Sequence, residues 1–229
     1  MSINQGNSNS VESNQQGVHE HLNDYLEKYS FENYQRPIAD FSKVVWGEII
    51  SFIGNDPVIF DLGCGVGESS YHLAINNPEI KVVGIDKSIS RLDRNNSFKE
   101  EIPKNMKLFR GELLDLIPII YQEQYALDIK SVYILYPNPW PKKHHIKRRF
   151  YASPVSIHLF NINACIIKRS NWKLYLEESL VSANFFNRES SGVTIVEPKV
   201  YMTPFEKKFS QSAQTLYELK IIDKNMTDK

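Results

Sequence analysis

The sequence is short of cysteine, of unbalanced charge and of long apolar runs, and each shortage removes a class of function. Its two cysteines, Cys64 and Cys165, lie far apart and outside any metal-ligand spacing. Neither a disulfide framework nor a metal site is therefore expected, and a reducing compartment is. Lys+Arg and Asp+Glu both number 27, for a formal net charge of zero. Net charge thus argues for neither a nucleic-acid nor a membrane partner, and any basic patch must be local. No run approaches the roughly 18–20 apolar residues of a membrane helix. The first residues lack the basic start and apolar core of a signal peptide. A cytoplasmic protein without membrane contact is the expectation.

What is present fits one globular domain: 229 residues, 41% hydrophobic and 24% charged, long enough to bury a full core. Residues 1–17 are dominated by Asn, Ser, Gln and Gly and read as a disordered tail. Residues 18–229 read as a single domain, with a monomer favoured. Apolar residues at helical spacing mark His19–Tyr29 and about Ile38–Ile53, and Gly54-Asn55-Asp56-Pro57 ends the second stretch. An alternation follows. Short apolar strands are expected at 58–60, 81–85, 107–109, 131–135 and 164–167, with helices at 69–76, 90–99 and 172–186. Segments 193–196 and 216–222 read as a closing antiparallel pair. The alternation predicts an α/β fold with a mostly parallel, seven-stranded sheet and helices on both faces.

The first strand runs into Asp61-Leu62-Gly63-Cys64-Gly65-Val66-Gly67, and a helix follows. Glycines here let the backbone approach a ligand closely. The acidic Asp61 before them suits an amino-acid moiety with a cationic amine better than a pyrophosphate. Asp86 closes the second strand, where a carboxylate accepts from ribose hydroxyls. Glu112, past the third strand, is placed to border an adenine. These residues point to S-adenosyl-L-methionine. The Gly-x-Gly-x-Gly spacing, with no Arg or Lys in the turn, argues against a dinucleotide.

Beyond the fourth strand comes Tyr136-Pro137-Asn138-Pro139-Trp140-Pro141-Lys142-Lys143-His144-His145-Ile146-Lys147-Arg148-Arg149. Its prolines stiffen the chain around Asn138 and Trp140. The basic residues behind them concentrate positive potential where an α/β sheet places its ligands, which suits nucleic-acid phosphates.

Taken together these motifs resemble the bacterial tRNA (guanine-N7)-methyltransferase family, over about Asp56 to Glu206. The family's hallmark is a Pro-Asp-Pro-Trp-x-Lys segment followed by His and paired Arg. The resemblance implies a Rossmann-like class I methyltransferase using S-adenosyl-L-methionine on tRNA. Asp61, Gly63, Gly65, Asp86 and Glu112 are then cofactor-binding. Asn138 takes the place of a catalytic Asp that also borders the cofactor, and Lys142 matches a substrate-binding Lys. Arg148 and Arg149 are expected to meet phosphates. Ser170-Asn171-Trp172 with Tyr175 is similar to a Thr-Asp segment, so Asn171 replaces a substrate-binding Asp. Thr203 and Glu206 match a Thr-x-x-Glu substrate motif, although the same pair also reads as a helix cap with its reciprocal Glu.

Two departures stand out, Asn138 and Asn171 at family Asp positions. Each Asn keeps an acceptor and loses a charge. Hydrogen bonds to charged groups contribute ~1.5–3 kcal/mol against ~0.5–1.5 for neutral ones. Each change is thus expected to cost about 1–1.5 kcal/mol, roughly tenfold in rate. An Asn amide also complements adenine, and Asn-Pro before an aromatic is similar in part to the Asn-Pro-Pro-aromatic motif of amino-group methyltransferases. Two further readings therefore stay open: the same fold acting on another nucleic-acid or small-molecule acceptor, and a catalytically weak RNA-binding module that keeps the cofactor pocket.

Overall fold

A computed structural model describes residues 7–31, 36–94 and 101–222. After the helices α1 (Leu22–Phe31) and α2 (Asp40–Ile53), the chain alternates as its apolar pattern predicts. It runs β1 (Val58–Leu62), α3 (Glu68–Asn76), β2 (Lys81–Asp86), α4 (Ile89–Leu92), β3 (Met106–Arg110), α5 (Leu113–Glu123) and β4 (Ile129–Leu135). Next are α6 (Ser156–Phe160), β5 (Cys165–Ser170), α7 (Lys173–Phe185), β6 (Ser190–Ile195), α8 (Pro204–Gln211) and β7 (Tyr217–Ile221). The seven strands form one sheet in the order β3-β2-β1-β4-β5-β7-β6. The first five are parallel, and β7 runs against both β5 and β6. The expected antiparallel closure is present.

β1 is buried along its whole length, because helices cover both faces. Phe60 and Leu62 enter the larger core with Val45, Ile49 and Ile53 of α2, Leu116 and Ile120 of α5, and Leu176 of α7. Ile59 points the other way, into a smaller cluster with Leu73 and Ala74 of α3. The two-residue period of a strand puts Asp61 on that same side, under α3. The sheet order reverses between β1 and β4, which opens a crevice at the carboxyl ends of the strands, the usual ligand position in such sheets.

Two readings of the sequence change. Residues 7–17 are not a free tail: Ser13 Oγ donates to the Pro141 carbonyl (2.6 Å), and Gln15 Nε2 donates to Glu178 (2.6 Å). A segment too polar for hydrophobic collapse is held by hydrogen bonds instead; residues 1–6 lie outside the described part. Of the helix expected at 90–99, α4 (Ile89–Leu92) lies at the described end, and 95–99 lies outside the described residues. Helices α5, α6 and α8 were not expected as such. Two buried cations brace the sheet. Arg188 donates to the carbonyls of Phe160, Ile162, Ala164 and Ile222. Lys168, fully buried on β5, donates to Ser179 Oγ (2.5 Å) among the rings of Tyr151, Phe160 and Tyr175. Burial pushes its ammonium down to about 7.

No helix among the described residues is long and apolar enough to cross a membrane. Nor does any group of three or more His, Cys, Asp or Glu among them stand close enough to hold a metal.

Candidate active site

The crevice at the strand ends is a cavity of about 610 Å³, lined among others by Gly63, Gly65, Asp86, Glu112, Tyr136, Asn138, Trp140, Arg148 and Thr203. That size suits a nucleoside-like ligand. Gly63 and Gly65 hold φ of +85° and +61°, with open space where a Cβ would stand. Only glycine takes these angles without strain, so the turn offers bare backbone to the cavity. Asp86 fixes it: Oδ2 accepts from the Gly65 amide (3.0 Å), Oδ1 from the Ser88 amide (2.8 Å), and Arg91 pairs with Oδ1 at 3.1 Å. Glu112 caps α5 by accepting from the Leu114 amide (3.3 Å).

Asp61 stands behind this wall rather than in it. Its Oδ2 accepts from Ser69 (2.5 Å) and Ser70 (2.7 Å) at the start of α3. Burial raises its carboxyl to about 6, against the two hydroxyls that favour the anion. Asp61 is not among the residues that line the cavity, and Ser69 is. Gly67 also holds φ +85°, strained for any other residue, and a Cβ there would press on Leu108 Cδ1 at 2.5 Å.

On the opposite wall, the loop after β4 carries Asn138 at the cavity, exposed. Asn138 Oδ1 accepts from the Trp140 amide (3.2 Å), a turn that Asn side chains favour. The Arg148 guanidinium lies 4.6 Å from the centre of the Trp140 ring, and Lys147 joins it at the rim.

The basic run does not act as one face. Lys142 is exposed but does not line the cavity. Arg149 is fully buried, so it cannot meet a phosphate. It pairs with buried Glu178 (2.5 Å), while Nε and Nη2 donate to the Trp140 carbonyl at 3.2 and 3.0 Å. Tyr151 also donates to Glu178. A lone buried guanidinium is too costly to leave unpaired, so the second Arg of the pair turned inward to Glu178. Asn171 also misses the cavity, donating to Gln214 (2.8 Å).

Thr203 and Glu206 divide the two readings given to them. Thr203 caps α8, its Oγ1 accepting from the Glu206 amide (3.0 Å), and it lines the cavity as well. Glu206 is fully buried, and its Oε2 accepts from the Met202 amide (2.6 Å), one residue before the cap. Its other oxygen meets Tyr136 and Arg169. It has no surface to offer a substrate.

The sequence reading missed Ser69, Tyr136, Ser153 and Tyr175 as cavity residues. Tyr136 was findable as the residue that follows β4. Ser153 was not, because it arrives from an element distant in sequence, and Tyr175 stood in the segment compared with the Thr-Asp motif without a role of its own.

Comparisons with known proteins bear on family and fold. Residues 55–219 match the family described as "Putative methyltransferase". A tRNA (guanine-N(7)-)-methyltransferase of Lactococcus lactis subsp. cremoris (strain SK11) is 32% identical over 198 residues, 79% of this chain and 85% of that protein. One from Streptococcus sanguinis (strain SK36) is 31% identical over 186 residues, 76% and 84% of the two chains. Among solved structures, the 16S rRNA methyltransferase KamB superposes with a TM-score of 0.55 at 15% identity, over 82% of this chain and 95% of that one. The 16S rRNA (adenine(1408)-N(1))-methyltransferase of Catenulisporales acidiphilia gives 0.54 at 15%, over 77% and 90%. At that identity the structural likeness establishes the class I methyltransferase fold. With a family match over most of its length and relatives above 30% identity across most of both chains, this protein is a methyltransferase that belongs to the tRNA (guanine-N(7)-)-methyltransferase family.

Proposed function

We propose that this chain transfers the methyl group of S-adenosylmethionine to N7 of a guanine in tRNA, in the cytoplasm. The observation that carries the reading is one cavity with two unlike walls. A bare glycine turn braced by Asp86 faces a stiff Asn138–Trp140 loop with a basic rim. Gly63, Gly65 and Asp86 would hold the methionine and ribose parts, and Glu112 would border the adenine. Asp61 would act at one remove, through Ser69. Bound there, S-adenosylmethionine supplies a methyl group on a sulfonium centre.

Guanine N7 presents its lone pair without losing a proton, so no general base is required of this chain. Its residues have to bring the base into line and exclude water. They also have to stabilise the positive charge that moves onto the base. Asn138 is the residue placed for the first task. The loop's own amide takes one lone pair of its Oδ1, so Nδ2 is the freer group to meet a base. A donor there complements O6 beside N7 of guanine and opposes the N6 amino group of adenine. That orientation favours guanine over the adenine reading of the same Asn. Lys147 and Arg148, with Lys142 further out, would meet phosphates; Arg149 and Glu206 would not.

The test is incubation with labelled S-adenosylmethionine and total tRNA, followed by nucleoside mapping. N7-methylguanosine is the expected product. N6-methyladenosine would move the acceptor, and no incorporation with cofactor binding intact would overturn methyl transfer to tRNA.

A further inference from the structure

Two residues of the loop after β4 adopt backbone angles that L-residues avoid. Tyr136 has φ +49° and Trp140 φ +46°. Bulky aromatics hold such a conformation only where their surroundings over-determine it. Between them stands Asn138.

Each end of the loop is tied to an ion pair, one fully buried and the other with Glu206 buried and Arg169 half-buried. At the first end, the Tyr136 hydroxyl donates to Glu206 Oε1 (2.9 Å), which also accepts from Arg169 Nη1 (2.9 Å). Arg169 is held in turn by Glu218 (2.8 Å), and its carbonyl accepts from the Tyr136 amide (2.9 Å). At the second end, Arg149 donates twice to the Trp140 carbonyl while pairing with Glu178. Neither Glu206 nor Arg149 is exposed at all, so neither touches a ligand. Arg149 reaches the cavity through the Trp140 backbone, and Glu206 through the Tyr136 hydroxyl and, by its own amide, the Thr203 cap.

We propose that Glu206 and Arg149 are positioning residues: the pairs Glu206–Arg169 and Arg149–Glu178 clamp the two left-handed ends of the Tyr136–Trp140 loop, and the clamp sets how Asn138 meets the acceptor base. Charge-assisted hydrogen bonds suit this work because they are shorter and stronger than neutral ones. Burial and the Glu206 carboxylate both push the Tyr136 phenol up, which keeps its hydroxyl a donor. The kinetic part of the inference rests on the methyl-transfer reading above; the structural part does not.

The deciding variant is Tyr136→Phe, which removes one hydroxyl and leaves Glu206 paired with Arg169. Arg149→Lys is the second; it keeps the charge and loses the forked reach to Trp140. The measurements are kcat and KM for tRNA, S-adenosylmethionine affinity by calorimetry, and the rate of tryptic cleavage at Lys142, Lys143, Lys147 and Arg148. In both variants kcat is expected to fall about tenfold or more. Cofactor affinity is expected to stay within about twofold, and cleavage in the loop to speed up several-fold while the protein remains folded. Tyr136→Phe with unchanged kcat and unchanged cleavage overturns the inference. If the wild-type protein transfers no methyl group to tRNA, the functional reading falls alone, and the cleavage rates decide this one.

Discussion

Arg148 and Arg149 are adjacent in sequence, yet alanine at each is expected to fail in a different assay. Arg148 stands exposed at the cavity rim against Trp140. Arg148→Ala should weaken tRNA binding and lower the slope of log K against log[salt] by about 1, with the melting temperature nearly unchanged. Arg149→Ala strands the Glu178 carboxylate in the core, a loss of about 3–5 kcal/mol read in urea unfolding. The protein that stays folded should keep its salt slope. This pair also marks where the sequence stops being legible at residue scale. A run of basic letters gives their number and place, but facing is decided by a partner 29 positions away. Asp86, Glu112, Asn138 and the glycines could be placed at the cavity from local spacing alone, since a strand end and a turn fix them. Asp61, Arg149 and Glu206 could not, because their partners come from other elements.

Among the elements, β5 carries an expense that can be measured. Lys168 is drawn down to about 7 from 10.5, so between those values the unfolded chain binds a proton the folded one does not. Stability therefore rises on this account as pH climbs from about 7 to about 10.5, and the full penalty applies below 7. Lys168→Met is expected to stabilise the protein by about 1–4 kcal/mol at pH 7, with the gap to wild type narrowing toward pH 10. Thermal melts of the two proteins across that range check it, and a gap that widens with pH would refute the assignment. The strands, α2, α3 and α7 were readable from the alternation of short apolar runs with bounding turns, Asn77-Pro78 after α3 among them. α5 was not: Pro118 sits inside it, and proline argues against a helix interior. α8 was visible only as its Thr203 cap, having little apolar content behind it.

For the whole molecule, the N-terminal segment matters more than its composition implies. Gln15 accepts from Arg149 (3.1 Å) and donates to Glu178, and it is itself buried. Ser8 reaches Ser212 and Gln214 past the end of α8. Deleting residues 1–15 is expected to cost about 1–3 kcal/mol through the buried groups left unpaired. Gln15→Ala should reproduce most of that loss, and equal melting temperatures for all three proteins would show the segment to be idle. The same contact has a consequence during synthesis. Glu178 lies 163 positions after Gln15, so at ~5–20 residues per second the segment leaves the ribosome roughly 8–30 s before its docking site exists. Its glutamines and serines keep it soluble and uncommitted through that interval, a task for which an apolar segment of equal length would be badly suited.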